Sequence, residues 1–205
     1  MQLKLKIMKK HINFILLLIT ITACKAQSPV YDISDIENGT KGSYYKDTKG
    51  VLDGYDGTYL YSNGTTSLKI VLKKKVMSKG YYYRDLIVGE FQYIENGVEL
   101  NNTLPNINVN YTDEDVNHRI TGARIITGTN LGCSDCTPTE KRLRLSFVDN
   151  KSRNIAGIDI RKTTVNGKAA LKVKIWWDDI IILKEGDPVE PRASLTAGEY
   201  LMIKQ

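Results

Sequence analysis

The chain has 205 residues, with 29 Lys and Arg against 23 Asp and Glu and a formal charge of +6. Four of those charges, Lys4, Lys6, Lys9 and Lys10, precede Cys24 with no acid among them, which leaves only about +2 on residues 24–205. So small a surplus excludes a nucleic-acid partner recruited by net charge. The length is that of one domain with a sizeable core.

Residues 1–23 have the layout of a secretion signal: Lys9-Lys10, an apolar run from Ile12 to Ile19 broken only by Asn13, then small residues. Met8-Lys9-Lys10 would serve as a signal start on its own. The run falls short of the ~20 residues that cross a bilayer as a helix, so a cleaved signal is predicted rather than a buried helix or a permanent span. It closes on Ile21-Thr22-Ala23-Cys24, which resembles a bacterial lipobox. That resemblance implies cleavage before Cys24 and acylation of its thiol, so the expected partner is a membrane. More than one acyl chain is needed for stable anchoring. Lys25 in place of an aspartate is expected to favour the outer membrane. The lack of any acid in Lys25-Ala26-Gln27-Ser28-Pro29 favours a periplasm-facing domain over a surface-exposed one.

Residues 24–50 are polar and turn-rich and are predicted to be a tether. The domain proper is predicted to span 51–205. There the apolar period becomes two. Leu68, Ile70, Leu72 and Val76 alternate with Lys69, Lys73 and Lys75. Tyr81, Tyr83, Ile87, Phe91 and Tyr93 share one parity, opposite Arg84, Glu90 and Gln92. Leu143, Leu145 and Phe147 oppose Arg142, Arg144 and Ser146, and Leu171, Val173, Ile175 and Trp177 oppose Lys172 and Lys174. Alternation of this kind marks strands with one wet face. Asn63-Gly64, Asn96-Gly97 and Asn166-Gly167 sit between such runs and suit two-residue hairpins. The predicted fold is all-β: an antiparallel, hairpin-rich barrel, lipocalin-like, or a sandwich, of about eight to ten strands. These strands lie near 57–62, 66–77, 81–94, 98–101, 119–127, 141–149, 154–163, 169–177, 180–184 and 199–204. Residues 101–118 are a long loop, a candidate barrel lip.

Setting Cys24 aside leaves Cys133 and Cys136 in Gly132-Cys133-Ser134-Asp135-Cys136-Thr137-Pro138. A turn brings Cα atoms three apart within disulfide reach. A local disulfide is expected, with a redox-active pair, a zinc pair and free thiols as the alternatives. Thr137-Pro138 argues against the helix a redox motif needs, and zinc lacks its four ligands.

The candidate chemistry is sparse. Asp113, Asp115 and Asn117 begin like a calcium loop, but His118 stands where the turn glycine belongs and Arg124 where the bidentate acid belongs. Asp178-Asp179 with Glu185 and Asp187 could pair as catalytic carboxylates but read better as solvated acids. His118 has no nucleophile motif beside it and is expected at the surface. Lys73-Lys74-Lys75 is expected to face water in part. No catalytic residue, metal or cofactor is predicted. The aromatics are the better lead. Tyr81, Tyr83, Phe91 and Trp177 share the inward parity and could line a cavity, while Trp176 would lie outside among lysines as a binding platform or as cover for the sheet.

Several segments resemble an uncharacterised family of single-domain lipoproteins from Bacteroidota, a domain of unknown function. They are Gly57-Thr58-Tyr59, the stretch from Tyr82 to Gly97, Asn102-Thr103-Leu104, Arg142 to Phe147 and Gly198 to Gln205. No catalytic residue comes with that resemblance. The opening Gly-Thr-Tyr and the strand pattern are also similar to lipocalin-like domains, which implies a pocket in a barrel mouth. The functional expectation is a non-catalytic envelope domain that binds a small apolar or amphipathic ligand. Its rival is a protein-interaction or structural module with a filled core and an apolar outer patch near Trp176 or Tyr82; a hydrolase ranks third.

Overall fold

The computed structural model describes residues 28–36, 39–111, 117–130, 133–152, 154–177 and 193–205. The predicted signal, Cys24, Asp113, Asp115, the acids from Asp178 to Asp187 and the strand expected at 180–184 lie outside the described residues.

The period-two segments become eleven strands: β1 (Val30–Asp32), β2 (Tyr44–Lys46), β3 (Gly57–Asn63), β4 (Thr66–Ser78), β5 (Tyr83–Glu95), β6 (Val98–Asn102), β7 (Ile120–Thr127), β8 (Lys141–Val148), β9 (Ile155–Val165), β10 (Lys168–Trp177) and β11 (Gly198–Lys204). Eight of them pair in the order β5-β4-β3-β11-β10-β9-β8-β7, and a β5–β7 pairing (Val88 opposite Thr121) closes the ring. The result is a closed antiparallel barrel, with β6 added to β5 and the short β1 and β2 attached in parallel.

Turn chemistry sets the registers. Asn96 and Gly97, and Asn166 and Gly167, all take positive φ, as a type I′ hairpin requires. The β3–β4 turn sits one residue later than the Asn-Gly reading, on Gly64-Thr65, with Gly64 at positive φ. Alternation then sends Tyr59, Ile70, Leu72, Phe91, Phe147 and Ile158 inward, each 0 or 1 % exposed. The Phe91 and Phe147 rings meet at 4.7 Å. Leu52 and Tyr55 join this core beside Gly57, at one end of the barrel. Leu195 joins it at the other, where its carbonyl accepts the Trp177 Nε1–H at 3.0 Å. The barrel interior is therefore packed with side chains, as the small size of an eight-stranded ring permits.

Three expectations need correction. Residues 30–36 and 39–50 are not a free tether. Asp85, buried on β5, accepts the Tyr44 hydroxyl at 2.6 Å and the Asp47 N–H at 2.9 Å. Asp47 in turn accepts the N–H groups of Val51 and Leu52 at 2.8 and 2.9 Å and faces Lys74 at 3.0 Å. These carboxylates satisfy backbone donors that a tether would leave to water, and they draw the segment onto the barrel.

Residues 103–111 are a strap along the outer wall rather than a lip. Lys73 reaches Asn108 at 2.6 Å and Lys75 reaches Asn110 at 3.2 Å. Each lysine of the 73–75 run therefore has a partner. Lastly, His118 is buried, with Nδ1 2.9 Å from a carboxylate oxygen of the equally buried Glu90 and its ring edge-on to Tyr111.

Candidate functional site

The outward parity of four adjacent strands builds the site. Register sets Arg144 opposite Asp159, Asp159 opposite Lys174, and Lys174 opposite Glu199. Opposite charges directly across a sheet attract, so the outer wall of β8, β9, β10 and β11 carries an alternating charged row. Next to it run Arg161 and Lys172, paired in register. Cys133, Ser134 and Asp135, from the segment before β8, lie over this wall and border a cleft of about 680 Å³.

Two carboxylates organise the arginines. Asp159 accepts from Arg142 Nη1 at 2.8 Å and from Arg144 Nε and Nη2 at 2.7 and 2.8 Å. Arg142 also donates to the Asn130 carbonyl, which fixes the incoming loop. Asp135 takes both terminal nitrogens of Arg161, at 3.0 and 2.7 Å, and the Arg161 Nε faces Glu140 at 3.1 Å. The bidentate Arg161 contact holds the Asp135 carboxyl down to about 2, so it stays ionised at neutral pH. Lys174 has no ion pair among the described residues, and its ammonium is the cleft's uncommitted cation.

Cys133 and Cys136 form a disulfide at the mouth, with Cα atoms 5.5 Å apart. Arg161 Nη1 lies 3.3 Å from each sulfur. The two sulfurs and Asp135 are grouped closely enough for a metal, but the thiolates that a metal needs are consumed in the S–S bond.

Of the five aromatic candidates, the structure brings only Trp176 to the cleft. Its ring lies over Gly157 of β9 and under the Arg144 guanidinium, 4.7 Å from the ring centre. Trp177 faces inward, as its parity predicts, and meets Phe147 at 5.7 Å. Phe91 is fully buried in the core. Tyr83 opens β5, half-buried, and Tyr81 precedes that strand and is 64 % exposed. Tyr81, Tyr83, Phe91 and Trp177 thus share no cavity. The parity argument fails for Tyr81 because alternation holds only inside a paired strand.

Arg142, Arg144, Asp159, Arg161 and Lys174 were missed as a group. Their signal was present as charged outward positions on three predicted strands. The strand order that makes them neighbours is not written locally.

The fold and cleft define a closed eight-stranded antiparallel barrel with a filled interior and a charged recess on its outer wall. The chain belongs to a family of unknown function, DUF6705, which it matches over residues 8–205. Neither the curated proteins nor the solved structures compared with it gave a match.

Proposed function

We propose that this is a non-catalytic binding domain of the cell envelope, held to the outer membrane through acylated Cys24, and that it takes a small amphipathic anion on its outer wall. The observation that carries the reading is the cleft's composition. Arg142, Arg144, Arg161, Lys172 and Lys174 face Asp135, Asp159 and Glu199, so cations exceed acids, and the Trp176 ring and Leu201 supply apolar surface. A pocket with apolar walls and a few fixed polar groups suits a ligand with one anionic and one apolar part. The filled barrel favours this outer site over a ligand in the barrel mouth, and it also favours the interaction-module rival for the same wall.

The test is native mass spectrometry of the chain made as Cys24→Ser and purified gently from its own envelope. A releasable extra mass, lost in Lys174→Glu and retained in a control such as Lys168→Glu, is the expected result. A bare monomer mass that gains nothing from envelope extract would overturn the small-ligand reading. Cross-linking from the same wall would then decide for a protein partner.

A further inference from the structure

We propose that the barrel end formed by β1, β2, the end of β4 and the start of β5 is a bilayer-docking surface that seats the domain on the anionic leaflet holding Cys24. The inference rests on the acylation of Cys24 proposed above.

Distance makes the first argument. A tether reaching Gly50 would let the domain roam, but the folded domain starts at Val30, in β1. Five residues lie between Cys24 and Val30, and even fully extended the six Cα–Cα steps span only about 20 Å. Strand β1 is therefore confined near the headgroups.

Surface chemistry makes the second. Among the described residues, nine large apolar side chains are exposed, and five of them, Val30, Tyr31, Val76, Met77 and Tyr81, belong to this end. Register brings their strands together: Tyr31 pairs with Tyr45, Tyr45 with Arg84, and Arg84 with Ser78. A chain of rings links the exposed Tyr31 and Tyr81 through the buried Tyr45 and the half-buried Tyr82, with Tyr31 on Tyr45 at 5.4 Å, Tyr45 on Tyr82 at 5.0 Å and Tyr82 on Tyr81 at 6.4 Å. Tyrosine, apolar in its body and polar at its tip, suits the membrane–water boundary. A bulge between Lys75 and Ser78 leaves Val76 and Met77 outward, and Met77 is held at φ +56° with its N–H on Asp85. A long side chain in that conformation is sterically unfavourable, and Asp85 keeps it there.

Charge makes the third. Lys41, Lys46 and Lys79 on these segments have no ion pair among the described residues, and Lys25 follows the anchor directly. Of the nearby acids, Asp32 pairs with Lys49, and Asp47 and Asp53 share Lys74. Asp35 and Asp85 have no ion pair among the described residues, and Glu37 follows in the sequence; against them stand these lysines and Arg84, which lies over Tyr82. Basic residues within a Debye length of an anionic leaflet are attracted to it.

The experiment reconstitutes the full chain, expressed with its own signal, into vesicles of anionic and zwitterionic lipid with or without brominated acyl chains. Tryptophan is introduced as Tyr81→Trp at this end and as Ile155→Trp, also exposed but at the opposite end. Emission added by Tyr81→Trp should be quenched about twofold by brominated lipid, and that added by Ile155→Trp left unchanged. Equal quenching at both positions, or none at either, would overturn the proposal. The intact mass of the same preparation reports acylation separately. An acylated chain with unquenched Tyr81→Trp defeats docking but not the anchor. A chain without acyl groups whose Tyr81→Trp is still selectively quenched supports the surface and defeats the anchor. A chain with neither defeats both.

Discussion

The Trp176 ring lies where a side chain on Gly157 would stand. The two residues face each other across β9 and β10, and a Cβ on Gly157 would fall 1.9 Å from Trp176 Cζ2. The glycine is there to admit the ring, and the ring in turn presents its other side to Arg144. Gly157→Ala should therefore expel Trp176 from the wall and free the Arg144 guanidinium from its cation–π contact. The expected destabilisation is that of overpacking, about 1–3 kcal/mol, with a red shift in tryptophan emission. Trp176→Ala should absorb most of that penalty, so the double variant should be more stable than the sum of the singles implies. Additive losses would mean that the Gly157 requirement lies in the backbone instead.

Asp47 makes the docked segment acid-sensitive. Burial pushes its pKa up, but the Leu52 N–H, the Lys74 ammonium and the Val51 N–H together outweigh burial and leave it below the ordinary carboxylate value. A carboxyl lowered in the folded state stabilises the fold above its unfolded pKa, near 4, and loses that contribution as pH falls through the folded value. Thermal midpoints measured from pH 6 downward should hold until about pH 4 and then drop. Asp47→Asn should be less stable at neutral pH, because Lys74 keeps only Asp53 as its ion-pair partner among the described residues, and flatter across the acid range. A variant that tracks the parent over the whole range would remove Asp47 from this role.

The Cys133–Cys136 bridge closes a very short loop, so the chain-entropy relation gives it only about 2 kcal/mol. Its local effect should be larger. It shapes the loop that lays Asp135 on Arg161, and Arg161 touches both sulfurs. Reduction, or Cys133→Ser with Cys136→Ser, should shift the melting temperature by a few degrees. Hydrogen exchange should quicken in residues 133–140 while the β9 and β10 amides stay protected. Global loss of protection would show the bridge to be needed for the fold itself.

The barrel was legible in the sequence because its signals are local. Period-two alternation placed β3 to β11 within a few residues, and two of the three Asn-Gly pairs marked their turns to the residue. Trp177 went inward as its parity required. Three other features were not legible, and each depends on contacts distant in sequence. Asp85 captures Tyr44 and Asp47 from some forty residues away, which turns a polar segment into part of the domain. The charged cleft needs β8, β9, β10 and β11 side by side, and parity tells inside from outside without telling which strands are neighbours. The strap at 103–111 hides Glu90, whose residue type alone predicts exposure, and His118, which stands in a polar stretch of sequence.

That hidden pair yields the last prediction. Glu90 and His118 are 0 and 1 % exposed and 2.9 Å apart, yet Glu90 Oε2 and His118 Nε2 have no hydrogen-bond partner. The pair is thus half-satisfied and sits under the strap, with Tyr111 edge-on to the imidazole at 4.9 Å. His118→Phe keeps the ring and its contact with Tyr111 but leaves the Glu90 carboxyl buried without its partner. The expected cost is about 1–3 kcal/mol. Adding Glu90→Leu removes the stranded group, and apolar replacements of a buried pair are often neutral or stabilising. Urea denaturation of the parent, both single variants and the double should therefore show a large favourable coupling, with the double near the parent. A double variant that falls as far as His118→Phe alone would mean that the two residues hold the strap by their polarity, and that its outer wall depends on them.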